Sequence, residues 1–288
     1  MKKKRLKKQS AEDKLEVKFV GVDDSFFLSY WKIFDISLFG RQRSDLLNII
    51  GRNLDSGTKK YWIATVNPEF VMAAEKDRIF KDILKKTSLN VVDGIGLVWT
   101  HELDIRSEGR RNLITAFNVG MDVLKGKYKD QMASGADLIL ELARMAKEKN
   151  KKIFLLGGWQ DRAERTAGFL KKKFGLKDSQ LEWCVGEPEI SNEEVLKQIN
   201  QFKPDILLVA YGMKKQEFWI NDNLQKLDVG LVMGVGRSFD YYSGDLKRAP
   251  EGLRKMGMEW FYSLVKEPKR FKRQLALPKF IWKVLREK

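Results

Sequence analysis

The stretch VVDGIGLVW (91–99) sets one aspartate, Asp93, inside an otherwise apolar run. A carboxylate in that setting must be solvated, paired or used. The chain has a single histidine, His101, and a single cysteine, Cys184, so acid–base work falls to Asp or Glu. A His-rich metal site, a Ser-His-Asp triad and a disulfide framework all lack support. Apolar neighbours disfavour a charged Asp93 and move its pKa toward neutrality, which suits a general base. The competing reading is structural, with Asp93 capping a turn through Gly94. His101 has no partner in sequence and reads as a surface or core residue. Arg270 and Arg273 are spaced to share one helix face, where they can grip a diphosphate or, alternatively, touch phospholipid.

A βα alternation supplies the frame for these groups. YWIATV (61–66) reads as a strand, and PEFVMAAEKDRIFKDILKK (68–86) opens on proline and carries helical apolar spacing. LNVVD (89–93), KKIFLLGG (151–158), LEWCVGE (181–187), PDILLVAYG (204–212) and LDVGLVMGVG (227–236) read as further strands, with amphipathic helices between them. The expected fold is α/β, a Rossmann-like, mostly parallel sheet flanked by helices. In such sheets ligands bind beyond the carboxyl ends of the strands. That rule nominates Thr65, Asn67, Asp93, Gly157 and Gly158, then Gly212 with Gln216 and Glu217, and Gly236 with Asp240. Neither GxGxxG nor GxxxxGK[ST] occurs, so the standard dinucleotide and P-loop sites lack support.

Three regions stand outside the alternation. FDISLF (34–39) is expected as the first core strand with SFFLSYW (25–31) covering its edge; a membrane-touching segment is the alternative. Residues 104–131 form a long basic connection with room for a short helix. In 250–288, Leu253, Met256, Trp260 and Leu264 fall at helical spacing, and a second basic, aromatic stretch follows Pro268. Its apolar residues suit either packing on the core or lying on a membrane.

The net charge is +16, and much of it is terminal: KKKRLKK (2–8) carries six positive charges, and residues 266–288 carry nine basic against two acidic residues. Such ends suit a polyanion, whether nucleic acid, an anionic membrane or a phosphate-bearing substrate. For the N-terminal run a solvated tail is an equal alternative. No apolar stretch reaches the roughly 18–20 residues of a membrane span. AEDKLEVK separates the N-terminal charges from any apolar segment, so no signal peptide is expected.

The last part of the chain is more specific. GVGRSFDYYSGDLKRAPEGLRKMGMEWFYSLVKEPKRFKR resembles the end of the bacterial WecG/TagA/CpsF glycosyltransferases, glycosyltransferase family 26. TVNPEF (65–70), DGIGLVW (93–99), ADLILELA (136–143), KIFLLGG (152–158), PDILLVAYG with KQE (204–217) and RAP (248–250) extend the resemblance over residues 35–273. It implies an inverting enzyme without metal or other cofactor that moves N-acetylmannosamine, or its uronic acid, from UDP to GlcNAc on a polyprenyl diphosphate carrier. The implied location is cytoplasmic, peripheral on the inner face of the membrane, in cell-surface polysaccharide or teichoic acid synthesis.

Asp93 then matches the family's base, with Thr65 beside it in the catalytic set and Asn67 among the substrate contacts. Gln216, Gly157, Gly158, Gly236 and Asp240 are the further substrate-binding candidates. Gln216 has the alternative of a helix N-terminal polar group, and Asp240 that of a structural residue. Arg248, Arg270 and Arg273 are the expected diphosphate ligands. The implied organisation is an arm and extension (1–34), a catalytic domain (35–249) with an unusual insertion at 104–131, and a helical basic appendage (250–288). The resemblance permits homo-oligomers, and the terminal, aromatic-rich placement of charge favours a membrane partner over nucleic acid.

The chain departs from the family pattern at Gln131 and Ser263, where arginines are usual, and at Lys214, where a proline is usual. Arg110 and Arg111 are the candidates to replace the missing charges. The rival readings are a different UDP-sugar or carrier on the same fold, a UDP-sugar epimerase, disfavoured by the absence of an NAD fingerprint, and a basic membrane- or nucleic-acid-binding protein.

Overall fold

Runs such as YWIATV and ILLVA are apolar at nearly every position, and such strands are stable only when helices cover both faces of the sheet. The computed structural model, which describes residues 30–108, 111–186, 192–268 and 271–287, builds that arrangement. β1 (Tyr30–Ile33) and β2 (Ile36–Phe39) form an antiparallel hairpin. β3 (Tyr61–Val66), β4 (Leu89–Val92), β5 (Ile153–Gly157), β6 (Leu181–Cys184), β7 (Ile206–Ala210) and β8 (Leu231–Gly234) come next. The sheet order is β1-β2-β4-β3-β8-β7-β5-β6, and every pairing beyond the hairpin is parallel. The Rossmann-like expectation is met. The sheet reaches back to Tyr30 rather than starting at residue 35, and residues 1–29 of the expected arm lie outside the described residues.

The helices are α1 (Arg43–Ser56), α2 (Pro68–Ala74), α3 (Arg78–Lys86), α4 (Ile95–Ser107), α5 (Leu113–Leu124) and α6 (Gly135–Glu148). Beyond these lie α7 (Arg162–Phe174), α8 (Asn192–Phe202), α9 (Lys215–Asn223) and the short α10 (Phe239–Tyr242). One face of the sheet is covered by α1, α6 and α7, whose Leu46, Ile50, Leu138, Leu142 and Leu170 share one core. The other face carries α2–α5 at one end and α8 with α9 at the other, in two further cores.

The C-terminal appendage comprises α11 (Glu251–Lys255), α12 (Glu259–Lys266), α13 (Phe271–Gln274) and α14 (Ala276–Arg286). The apolar spacing of Leu253, Met256, Trp260 and Leu264 predicts one helix, but the structure has two. Gly257 (φ +68) breaks it, and a Cβ there would meet the Ile95 side chain at 2.5 Å, so the chain must turn at this point. α14 answers the packing question in two ways. Phe280 and Val284 are fully buried against α2 and α4, contributing about 1.5–3 kcal/mol each, whereas Trp282 stays exposed. Arg111 pins this docking by pairing with Asp104 and Glu287 and donating to the Val284 carbonyl. It is therefore a structural clamp rather than a substitute substrate ligand, and Arg110 lies outside the described residues.

Candidate active site

A cavity of about 750 Å³ opens at the carboxyl ends of β3, β4, β7 and β8. Thr65, Asn67 and Asp93 line it from one side of the sheet, and Gln216, Val235 and Gly236 from the other; Arg248, Trp260, Ser263 and Arg273 form a wall from the C-terminal part. Strand order explains the convergence. The crossover from β3 runs outward to β4, and the next one, from β4 to β5, runs back past β3 to the far side, so the chain reverses direction here and opens a crevice at the strand ends.

Asp93 is placed by the backbone. Its N–H continues the ladder to the Val66 carbonyl at 2.7 Å, and Gly94 (φ +118) turns the chain into α4. No side chain caps α4, so the turn-capping alternative finds no hydrogen bond to rest on. Ala133 donates to the Val92 carbonyl and so brings the N-terminus of α6 alongside, where the Gly135 N–H bonds the Asp93 carboxylate. Burial pushes Asp93 up to about 7, and the charges of Glu259 and Asp137 push the same way. Arg248 and the Gly135 N–H oppose them but do not prevail. A carboxyl poised near neutrality can accept a proton from a substrate hydroxyl.

Arg248 organises the surrounding acids. It pairs with Asp137 at 2.6 Å and Glu259 at 3.0 Å, and donates to Ser134 Oγ at 3.0 Å. Burial works against its charge, but Asp137 and Glu259 outweigh that cost and hold the guanidinium well above its ordinary pKa. Glu259 opens α12 and Asp137 lies in the first turn of α6, so the appendage is joined to the catalytic domain through this arginine. Arg273 is held by Glu69 in a two-bond fork of 2.7 and 3.1 Å. Arg237, also on the cavity wall, pairs with Asp240 and Glu267.

Gln216 sits in the first turn of α9, almost fully buried. Its Oε1 accepts from the Gly236 N–H at 2.8 Å and its Nε2 donates to Glu217. A Cβ at Gly234 would lie 2.4 Å from that nitrogen, so only glycine admits the contact. Gln216 is thus both a helix N-terminal group and a cavity residue. Thr65 donates to the Gly234 carbonyl at 3.1 Å, and Asn67 caps α2 through its Oδ1, which leaves its amide NH2 as a donor for ligand.

The turn before α9 accounts for the departure at Lys214. Its φ is +70°, which proline cannot adopt, and its N–H donates to buried Glu217 Oε2 at 2.8 Å. Lys214→Pro should lower the unfolding free energy by about 2–4 kcal/mol, read from a denaturant midpoint, because it forbids this turn and strands a buried acceptor.

Several expected residues stand elsewhere. Gly157 and Gly158 end β5 but do not line the cavity, because β7 and β8 lie between β5 and β3. A Cβ on Gly157 would strike the Tyr211 ring at 2.7 Å, so its role is close packing. Asp240 is buried away from the cavity, and its ion pairs with Arg162 and Arg237 make it a structural residue that positions Arg237. His101 stacks on Trp31 outside the cavity. Gln131 turns away to donate to Glu102, while Ser263 does face the cavity. Arg270 lies outside the described residues.

Asp137, Glu259 and Arg237 escape the sequence reading, as do Arg43 and Lys129, which also line the cavity. The SGAD run (134–137), a serine followed by an acid in the third position after it, is a helix-start signal that could have flagged Asp137. Among the described residues no group of three His, Cys, Asp or Glu is arranged to hold a metal ion.

The model of the "Glycosyl transferase WecG/TagA/CpsF family" matches residues 31–118 and 117–288. An N-acetylglucosaminyldiphosphoundecaprenol N-acetyl-beta-D-mannosaminyltransferase of Bacillus subtilis (strain 168) is 32% identical over 231 residues, covering 78% of this chain and 79% of the relative. Proteins of the same name from Staphylococcus aureus strains MW2 and NCTC 8325 / PS 47 are 28% identical over 234 residues, covering 81% of this chain and 83% of each relative. The match spans the sheet, the cavity and the appendage, and this chain belongs to the WecG/TagA/CpsF family of glycosyltransferases.

Proposed function

We propose that the chain transfers N-acetylmannosamine, or a related sugar such as its uronic acid, from a UDP-sugar to GlcNAc on a polyprenyl diphosphate lipid. The relatives are named for mannosaminyl transfer to a GlcNAc-diphosphoundecaprenol acceptor, and this chain shares their family. The acceptor oxygen attacks C1 of the sugar on the face opposite the diphosphate, and its proton passes to Asp93. The C1–O bond to phosphate breaks and UDP leaves with the electron pair, which inverts the anomeric centre. Charge on the departing diphosphate is met by arginines of the cavity wall, Arg248 and Arg273, without a metal ion. One observation carries this reading: a carboxyl held near pH 7 at a strand end faces an arginine-bearing wall across a sugar-nucleotide-sized cavity.

The enzyme works on the inner membrane surface as a peripheral protein. Trp260, Phe261 and Val265 of α12 are exposed, and among the described residues no helix is long and apolar enough to cross a membrane. A second reading keeps the acceptor and changes the donor. It is favoured by Ser263, which faces the cavity where the family has an arginine. UDP release should be followed with a GlcNAc-diphosphate lipid and a panel of UDP-sugars, with and without EDTA. The expected result is acceptor-dependent release from UDP-N-acetylmannosamine, unchanged by EDTA, with an inverted product anomer by NMR. Release only from another UDP-sugar would establish the second reading, and a retained anomer would sink the proposed chemistry.

A further inference from the structure

Helix α5 (Leu113–Leu124) is apolar on both sides. Ala116, Val119 and Val123 are buried against α4, where Trp99 Nε1 donates to the Ala116 carbonyl at 3.0 Å. On the outer side Leu113 is 74% exposed, Ile114 76% and Phe117 69%, and Met121 and Leu124 continue the stripe to the helix end. The helix has one charged residue, Asp122, which is paired with Arg106 and Lys127. A helix facing water would carry charges along that stripe. The helix lies in the long connection between β4 and α6, outside the strand-to-helix alternation of the sheet.

The turn after α5 indicates the occupant. Lys125, Lys127 and Lys129 make it exposed and basic, and Lys129 reaches the cavity wall. At Gly126 in this turn a Cβ would lie 3.2 Å from the Lys255 carbonyl, so the turn abuts the end of α11. Met256, Trp260 and Phe261 come next there, all exposed, with Trp260 also on the cavity wall. The basic turn and aromatic α12 therefore border the cavity mouth, and the apolar stripe ends at Leu124, where that turn begins.

We propose that α5 is a membrane-inserting helix whose outer face lies in the headgroup–acyl boundary of an anionic bilayer and holds the cavity mouth against the lipid surface. Its length of roughly 18 Å is too short to span a bilayer and suited to lying in its plane. The lysine turn complements anionic headgroups. It repels the two protein alternatives, a second copy of a chain of net charge +16 and the chain's own KKKRLKK start. The inference deepens the proposed function by adding a lipid contact that the appendage does not supply.

The test places an environment-sensitive fluorophore at position 117 of the full chain, by Phe117→Cys in a Cys184→Ser background. Vesicles of phosphatidylcholine with or without phosphatidylglycerol are then added. The expected result is a blue shift only with phosphatidylglycerol vesicles, quenched by bilayer-embedded spin-labelled lipid. The unlabelled Ile114→Glu, Phe117→Glu double variant should lose vesicle flotation by about tenfold or more. A thermal melt like that of the wild type shows it folded. A probe already blue-shifted without vesicles means that the chain covers α5 itself, and a shift that grows with protein concentration means a second copy. Either result overturns the inference, as does a probe that stays water-exposed on bound vesicles. The measurement needs no turnover, so a chain inactive with every UDP-sugar would sink the proposed function and leave this inference standing.

Discussion

Replacing Asp93 by asparagine lowers acceptor-dependent UDP release by about 10²–10⁴-fold, the range expected for loss of a general base. The side chain keeps its size and its hydrogen bond from Gly135, so UDP-sugar affinity should change little. The same variant should be more stable than the wild type at alkaline pH. Asp93 titrates at about 7 in the fold against an ordinary 3.8, so folding favours its protonated form. That contribution is complete below pH 4 and is lost as pH rises through 7, where an ionised Asp93 must sit beside Asp137 and Glu259. The variant's advantage should therefore be absent at pH 4 and reach about 2–4 kcal/mol at pH 8. Glu217, buried and also raised to about 7, contributes with the same sign in both proteins. Urea unfolding at pH 4 and pH 8 reads the difference. Lost activity without the alkaline gain would place Asp93 in a wetter site than the cavity wall provides.

Arg248→Ala should be the most damaging substitution in the site. It leaves Asp137 and Glu259 without their shared cation and costs roughly 3 kcal/mol of stability, the range for breaking a buried ion pair. It should also lower kcat/KM about 10³-fold through loss of diphosphate stabilisation. Because Arg248 opposes the rise of Asp93's pKa, its removal raises that pKa further and moves the acid limb of the pH–rate profile to higher pH. Arg248→Lys guards against simple misfolding. It keeps the charge but not the fork that joins Ser134, Asp137 and Glu259, so it should restore stability more fully than rate. Equal recovery of both would mean that Arg248 holds the appendage in place and does nothing further.

The fold and one side of the cavity were legible in the sequence because both depend on strand ends. Thr65, Asn67, Asp93, Gln216 and Gly236 each stand where an apolar run stops, and a parallel sheet brings neighbouring strand ends together. Gly157 and Gly158 satisfy the same local rule and fail because β7 and β8 separate β5 from β3. Periodicity reports a strand's existence and not its place in the sheet. The meeting of Asp137 and Glu259 at Arg248 was out of reach for a related reason: the two acids come from helix N-termini far apart in sequence, and the helix-start signal at Asp137 says nothing of that partner. The single helix expected over Leu253–Leu264 overlooked the close approach of Ile95 that fixes Gly257 as a break. For α5, Thr115, Asn118 and Asp122 mark only a narrow polar face, and the wide apolar arc that remains does not tell which part of it the fold covers.

The role of Asp93 as the base is tested most sharply by the pH dependence of kcat/KM for acceptor-dependent UDP release, in the wild type and in Glu259→Gln. Glu259 is the neighbouring charge that most raises Asp93 after burial. An acid limb near pH 7 is expected in the wild type, with activity rising as Asp93 loses its proton. The limb should move to lower pH in Glu259→Gln, where a negative neighbour is gone. A limb that stays in place in Glu259→Gln, or that persists unchanged in the residual activity of Asp93→Asn, would show that another group takes the proton.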